Sequence, residues 1–142
     1  MKKIGIVLAA LFFAFLAAGC EQQAESYHKA TAKGRMVEAE TNLPAIVAMQ
    51  AGFKAMNQKF AATFQELNFS LSGNNQNYSY FMGDDVIKGA RGPDKLPENL
   101  PNQPSTADSF VVYAIANLDD DADLDVWKID QNGNLQHVRS DL

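Results

Sequence analysis

Seven consecutive apolar residues organise this chain of 142 residues: Phe110-Val111-Val112-Tyr113-Ala114-Ile115-Ala116. Successive side chains of a β-strand point to opposite faces of the sheet, so a strand that is apolar at every position must be buried on both faces. We therefore predict that this run forms a central strand.

Two further strands are predicted on the carboxyl side of this run. The first covers residues 125–129, the second covers residues 135–138, and Asn132-Gly133 lies between them. Asn-Gly is a strong hairpin signal because both residues tolerate the positive φ of a type I′ turn. On the first strand Trp127 shares a face with Asp125 and Ile129, so Trp127 is either a core residue or partly exposed at an interface.

The amino-terminal side carries the pattern of a helix. From about Ala24 to Phe64, mostly apolar residues recur at the i, i+3, i+4 spacing of one helix face. This face includes Leu43, Ile46, Phe53 and Phe60. Pro44 lacks the N–H for an internal hydrogen bond and Asn42 is a good N-cap, so either a kink lies near Leu43 or one helix ends and a second begins.

Between the helix and the central strand the pattern is weaker. Tyr78 to Met82 is predicted to be a short strand, whose aromatic side chains are either core residues or a stacking surface for a ligand. Gly83 to Asp108 contains four prolines and three glycines without any period, which predicts a long surface loop. The predicted fold class is α+β, with a long amino-terminal amphipathic helix packed on a small antiparallel sheet of three to four strands.

The first twenty residues have the organisation of a signal peptide. Lys2 and Lys3 precede fifteen residues of apolar character, and the segment ends in Leu16-Ala17-Ala18-Gly19-Cys20. This ending resembles the lipobox of bacterial lipoproteins, which implies removal of residues 1–19 and a covalent diacylglycerol on Cys20; an ordinary secretory signal is the alternative. Fifteen apolar residues fall short of the ~20 that span a bilayer. We expect a single domain over residues 20–142, anchored by lipid in the bacterial cell envelope and facing the periplasm or the cell surface.

Charge and cysteine content restrict the partners. Residues 1–19 contain two lysines and no acidic residue, so their removal changes the net charge from −5 to −7. A surface of this sign argues against nucleic acid and against anionic lipid headgroups as partners. Cys20 is the only cysteine. The folded domain therefore has no disulfide and depends on packing for its stability.

A run of aspartates is the only concentrated chemistry in the sequence. Its alternate members have a spacing that lets hard oxygen ligands converge on Ca²⁺. These candidate metal ligands are Asp119, Asp121, Asp123 and Asp125. The run is not an EF-hand, because Leu124 occupies the glycine position and Asp130 replaces the bidentate glutamate. The alternative interpretation is a solvated acidic turn.

No set of residues has the spacing of a catalytic site. His28 and His137 lie at opposite ends of the mature chain without metal-ligand or triad spacing, and we expect both at the surface. Gly-rich phosphate loops, HExxH, CxxCH and nucleophile-elbow motifs are absent from the sequence. We therefore expect a protein that is not an enzyme.

Two blocks of this sequence resemble type IV pilins and type II secretion pseudopilins. The first is Glu38-Ala39-Glu40-Thr41-Asn42-Leu43 with the amphipathic run to Phe64, and the second is residues 116–130 followed by Asn132-Gly133. The resemblance covers about residues 30–142 and implies a pilin-like fold. The resemblance also favours a calcium site at the acidic run, because major pseudopilins hold calcium in this part of the fold.

One departure from the pilin pattern bears on function. Pilins carry a Phe-Thr-Leu-Ile-Glu-type cleavage motif and some twenty-five apolar residues continuous with the helix, and here the apolar stretch ends at Cys20 instead. We therefore do not expect polymerisation into a pilus. The expected function is a non-enzymatic, protein-interaction role, accessory to a type IV pilus or a type II secretion system. The alternative is a calcium-dependent binding module unrelated to secretion.

Overall fold

The computed structural model describes residues 2–73, 76–119 and 121–142, and it describes side chains from residue 26 onward. These ranges contain one helix and five strands in an α+β arrangement. In chain order they are α1 (Lys2–Asn57), β1 (Ser79–Met82), β2 (Asp85–Ile87), β3 (Val111–Ala116), β4 (Asp125–Asp130) and β5 (Gln136–Arg139). The fold class is as predicted, but the sheet is larger than the expected three to four strands.

The strands form one antiparallel sheet in the order β2-β1-β3-β4-β5. The central position of β3 confirms the prediction from its apolar run. The predicted hairpin is also present, because β4 pairs with β5 across a turn that contains Gly133 at φ 77°.

The additional strand, β2, lies inside the segment predicted to be a long loop. Met82 pairs with Asp85, so only Gly83 and Asp84 connect β1 to β2. Gly83 adopts φ 60°, which suits the first position of a tight hairpin turn and is unfavourable for a residue with a Cβ. Gly-Asp is itself a hairpin signal, but the prolines that follow it conceal the strand in the sequence pattern.

Helix α1 is continuous through Pro44 and ends at Asn57 rather than at the predicted Phe64. Gln58 adopts the left-handed φ of 60°, which ends the helix, and its N–H still donates to the Lys54 carbonyl at 2.8 Å. The side chain of Gln50 then holds the reversed chain, since it accepts the Ala61 N–H at 2.8 Å and donates to the Ala61 carbonyl at 3.0 Å. The apolar spacing continues past Asn57 because Phe64 returns to the core from a loop.

The two faces of the sheet bury different partners. The face toward α1 contributes Val112, Ala114, Trp127 and Ile129, which pack in one cluster with Leu43 and Ile46. This cluster confirms the predicted helix–sheet contact and places Trp127 in the core, although Phe53 and Phe60 are only half-buried. The other face contributes Phe81, Tyr113, Ile115 and Val126, and the proline-rich segment covers it with Leu96 and Leu100.

Among residues 26–142, apart from the undescribed positions, no helix combines the length and apolarity required to cross a bilayer. The side chain of Cys20 lies outside the described side chains.

Candidate metal centre

The acidic residues lie in the loop between β3 and β4, and this loop is held from both sides. The buried Leu118 receives a hydrogen bond from the Arg35 guanidinium of α1 at its carbonyl, and its own N–H donates to Asp141 Oδ2. The Asn117 amide donates to the Asp121 carbonyl at 2.6 Å. The helix and the carboxyl terminus therefore fix the base of the loop.

Two turns set the positions of the loop carboxylates. Asp119 Oδ1 accepts the Asp121 N–H at 3.3 Å, and Asp121 Oδ1 accepts the Asp123 N–H at 2.7 Å. Such aspartate side chains substitute for backbone acceptors in a tight turn. The alternate spacing of the aspartates thus has a local structural role in addition to any role in binding.

Three carboxylates converge above this turn. Asp119, Asp121 and Asp141 each contribute an oxygen, and these oxygens lie within 4.8 Å of one another. Asp119 and Asp121 are exposed, whereas Asp141 is 4% exposed. Asp141 Oδ1 is buried and has no hydrogen-bond partner among the described residues. A buried carboxylate oxygen without a donor is costly, so Asp141 is the least satisfied group of the site.

The electrostatics of the site favour a positive partner. Burial raises the pKa of Asp141 to about 6, opposed by the hydrogen bond from the Leu118 N–H and increased by the charges of Asp119 and Asp121. Two unit charges 4.8 Å apart repel by about 3 kcal/mol at an effective dielectric of 20, and by about 1 kcal/mol in water. The site therefore gains from either a proton on Asp141 or a cation between the three carboxylates.

A cavity of about 270 Å³ lies next to these carboxylates. It is lined by the three carboxylate residues together with Asp123, Ser140, Leu142 and, from α1, His28 and Lys29. Carboxylate oxygens without nitrogen or sulfur ligands suit a hard cation, Ca²⁺ or Mg²⁺. Three protein oxygens are fewer than the six to eight that Ca²⁺ takes, so further ligands would have to come from backbone, water or a bound molecule.

The structure brings together only part of the predicted ligand set. Asp119 and Asp121 are in the group of three, and Asp123 lines the cavity without joining that group. Asp125 is not in the group, since it is fully buried within β4 and accepts hydrogen bonds from three side chains. The third member of the group is Asp141 instead. It lies outside the acidic run in the sequence, so the spacing of that run does not predict it.

Asp125 is the centre of a second polar cluster, which the backbone of Asp141 connects to the group of three carboxylates. Its Oδ2 accepts the Tyr78 hydroxyl and the Trp127 indole N–H, each at 2.6 Å. Its Oδ1 lies 2.6 Å from His137 Nε2 and accepts the Asp141 N–H at 3.4 Å. Burial, with Asp125 next to the hydroxyl, raises the pKa of Tyr78 well above its usual range, so this tyrosine stays a neutral donor.

His137 has more contacts than the sequence predicts for a surface residue. The strand register places it directly opposite Trp127, and the two rings stack with centroids 4.0 Å apart and planes 7° apart. Its side chain is 29% exposed. Only the pairing of β4 with β5 brings His137 to Asp125, and the predicted hairpin around Asn132-Gly133 was the one signal that could have indicated it.

No protein-family model matches this chain, and the comparison with curated proteins finds no match. The functional interpretation therefore depends on the residues themselves.

Proposed function

We propose that this chain is a lipid-anchored, non-enzymatic protein of the bacterial cell envelope that acts through protein contacts on a pilin-like fold. Its role would be accessory to a type IV pilus or a type II secretion system. The observation that carries the proposal is a pair of exposed apolar side chains near the carboxyl end of α1, Met49 and Met56.

The two methionines form one exposed apolar patch. They are seven residues apart, so they lie about 20° apart around the helix and about 10 Å apart along it. Met49 is 37% exposed and Met56 is 79% exposed. Methionine is enriched at protein interfaces, so this patch suits a protein partner.

The anchor is the second part of the proposal and is supported by the leader sequence. Replacement of Cys20 by serine removes the acceptor for the lipid, so the variant should remain as unprocessed precursor or be released from membranes. Fractionation of cells that express the parent and Cys20→Ser chains, with the mature mass measured in each, checks this outcome. A Cys20→Ser chain that stays in the membrane fraction at the normal mature mass would contradict the lipid anchor.

Photo-crosslinking in cells tests the partner surface. A photoreactive residue at Met56 should give specific adducts with pilus or secretion components, whereas the same residue at Glu40, exposed on another side of α1, should not. Equal adducts from the two positions would argue against a docking face. Filaments built from this chain in electron micrographs would refute the expected lack of polymerisation.

A second candidate function is a calcium-dependent binding module. One observation favours it: the buried, unpartnered Asp141 oxygen lies in a group with two exposed carboxylates. Isothermal titration of metal-stripped protein should show one site for Ca²⁺ that is weaker for Mg²⁺, which retains its water more strongly. Asp141→Asn should lose the binding. The absence of heat with either ion in the parent protein would reject this candidate.

A further inference from the structure

We propose that the open edge of β2 binds an extended, basic segment of a partner protein as an added antiparallel strand. One apolar side chain of that segment enters the cavity beside Val86, and its basic side chains lie over the carboxylates at the cavity rim. This contact is additional to the methionine patch of α1, because the cavity lies on the face of the sheet that points away from the helix.

Unpaired backbone groups of β2 are the first argument. β2 is an outermost strand, and its pairing with β1 begins at Met82 and Asp85, on either side of the two-residue turn. In such a hairpin the residues that flank the turn exchange both hydrogen bonds and the next pair exchanges none. The next pair is Phe81 and Val86, so the Val86 N–H and carbonyl point away from β1. Among the described residues, no other segment supplies a backbone partner for Val86.

The other edge of the sheet is less suited to an added strand. β5 pairs with β4 through a register shift between Val126 and Trp127, and this shift skips Val138. Such a bulge twists an edge strand and interrupts the regular row of hydrogen-bonding groups that an added strand requires. The register of β2 contains no shift. Because β2 is three residues long, it suits a short segment.

A cavity of about 630 Å³ beside Val86 is the second argument. Its apolar lining consists of Phe81, Val86, Leu96, Pro97, Leu100 and Pro101. Val86 is 39% exposed, so the edge and the cavity are both open to solvent. The residue directly opposite Val86 in an added antiparallel strand has its side chain on the same face of the sheet. A strand that bonds to the Val86 backbone therefore places one side chain in this cavity.

Charge at the cavity rim is the third argument. Its charged lining residues are Asp84, Asp94, Lys95 and Glu98. Asp94 forms an ion pair with Lys88, which leaves the charges of Asp84 and Glu98 against the single charge of Lys95. The whole chain is acidic as well, with a net charge of −5. Basic residues two positions before and after the apolar anchor lie on the cavity face, each about 7 Å from the anchor along the strand, and they complement this rim.

A synthetic peptide with this pattern, acetyl-Lys-Thr-Val-Thr-Lys-amide, tests the inference by titration into the isotope-labelled full-length chain in detergent micelles. Binding should shift the amide resonance of Val86 more than those of α1 and β5. N-methylation of the peptide valine removes the N–H that faces Val86, and should weaken binding by about tenfold or more. N-methylation of the first threonine removes an N–H that faces away from β2, and should leave the affinity nearly unchanged. Unless the peptide methylated at valine is the weaker binder, the added antiparallel strand is wrong.

Substitutions in the protein assign the binding to the edge and to the rim. Val86→Pro removes the outward N–H, and a sheet tolerates proline at an edge position whose N–H faces solvent. This variant should bind the peptide about three- to tenfold more weakly. Glu98→Gln should weaken binding and reduce its dependence on salt. Glu40→Gln removes the same charge from an exposed position of α1 and should do neither.

Each of four results would overturn the proposal. Equal binding by the parent and Val86→Pro chains would exclude the backbone contact. Equal losses in Glu98→Gln and Glu40→Gln would show a general charge effect. The acidic peptide acetyl-Glu-Thr-Val-Thr-Glu-amide should bind much more weakly, and equal affinity for it would exclude the preference for a basic segment. Shifts confined to Met49 and Met56 would place the peptide on the methionine patch instead of the β2 edge.

Discussion

Asp125 and Asp141 are two buried carboxylates of the same carboxyl-terminal region, and their surroundings differ. Asp125 is fully buried and has three side-chain partners at 2.6 Å, from Tyr78, Trp127 and His137. Asp141 is 4% exposed, receives one N–H at Oδ2 and has no partner at Oδ1 among the described residues. The loss of hydration is thus compensated at Asp125 and only partly compensated at Asp141.

This difference indicates which carboxylate is structural and which is available to a ligand. Donors from Tyr78, directly before β1, from β4 and from β5 converge on Asp125, so it links three strands of the sheet. Asp141 instead faces two further carboxylates, which raise its cost when ionised. A cation would supply the partner that Asp141 Oδ1 lacks among the described residues. The following predictions test each side of this comparison.

The largest expected effect is that of Asp125→Ala. The substitution leaves the Tyr78 hydroxyl and the Trp127 N–H buried without an acceptor and leaves a cavity, so we expect a loss of about 3–5 kcal/mol in the free energy of unfolding. Urea denaturation measures the loss. Asp123→Ala, at an exposed position of the same region, should change the value by about 0.5 kcal/mol or less. If the two variants were equally stable, Asp125 would not be the centre of this cluster.

The next prediction concerns the pH dependence of the metal-free protein. The pKa of Asp141 is raised to about 6 in the folded state, above its unfolded value of about 4. The folded state therefore binds the proton more strongly, and this stabilisation is present below pH 4 and is lost as pH rises through 6. The free energy of unfolding falls by at most about 3 kcal/mol over this pH range, because the folded and unfolded pKa values differ by about 2.

Unfolding of the parent and Asp141→Asn chains in EGTA between pH 4 and pH 7 checks this prediction. The asparagine variant lacks the titrating group, so its stability should decline less with rising pH, and at pH 7 it should be the more stable chain. Identical pH profiles for the two chains would show that Asp141 is not an under-compensated carboxylate.

A smaller effect is expected for His137→Gln. Glutamine retains a donor but loses the stack on Trp127 and any charge on the ring, so we expect a loss of about 1–2 kcal/mol. Hydrogen exchange should report the loss mainly in β5, whose four residues are exposed. Exchange in β1 should be little altered. Faster exchange throughout the sheet would show that His137 supports more than the edge strand.

The sequence predicts the framework of this fold better than its boundaries. Local patterns were sufficient for β3, for the hairpin of β4 and β5, and for the helix face at Leu43 and Ile46. They placed the end of α1 too late in the sequence. Phe60 and Phe64 continue the helical spacing, although the chain reverses at Gln58. The local patterns also missed β2, because prolines follow its two-residue turn.

For the candidate site, local spacing identified Asp119 and Asp121 but not the complete group. Asp125 continues the alternation in the sequence, yet the strand register directs it toward Trp127 and away from the loop. Asp141 joins the group only because β5 pairs with β4 and returns the carboxyl terminus to the acidic loop. A ligand set assembled by tertiary pairing has no signature in the spacing of one segment.

Thermal unfolding of metal-stripped protein, in calcium and in EGTA, tests most directly whether the under-compensated Asp141 belongs to a cation site. At a calcium concentration ten times the Kd, binding to the folded state alone should add about 1.4 kcal/mol, which raises the Tm by several degrees. Magnesium should raise it less, and Asp141→Asn should remove the difference between calcium and EGTA. Identical melting curves for the parent protein in calcium and in EGTA would contradict the account and leave the acidic loop as a solvated turn.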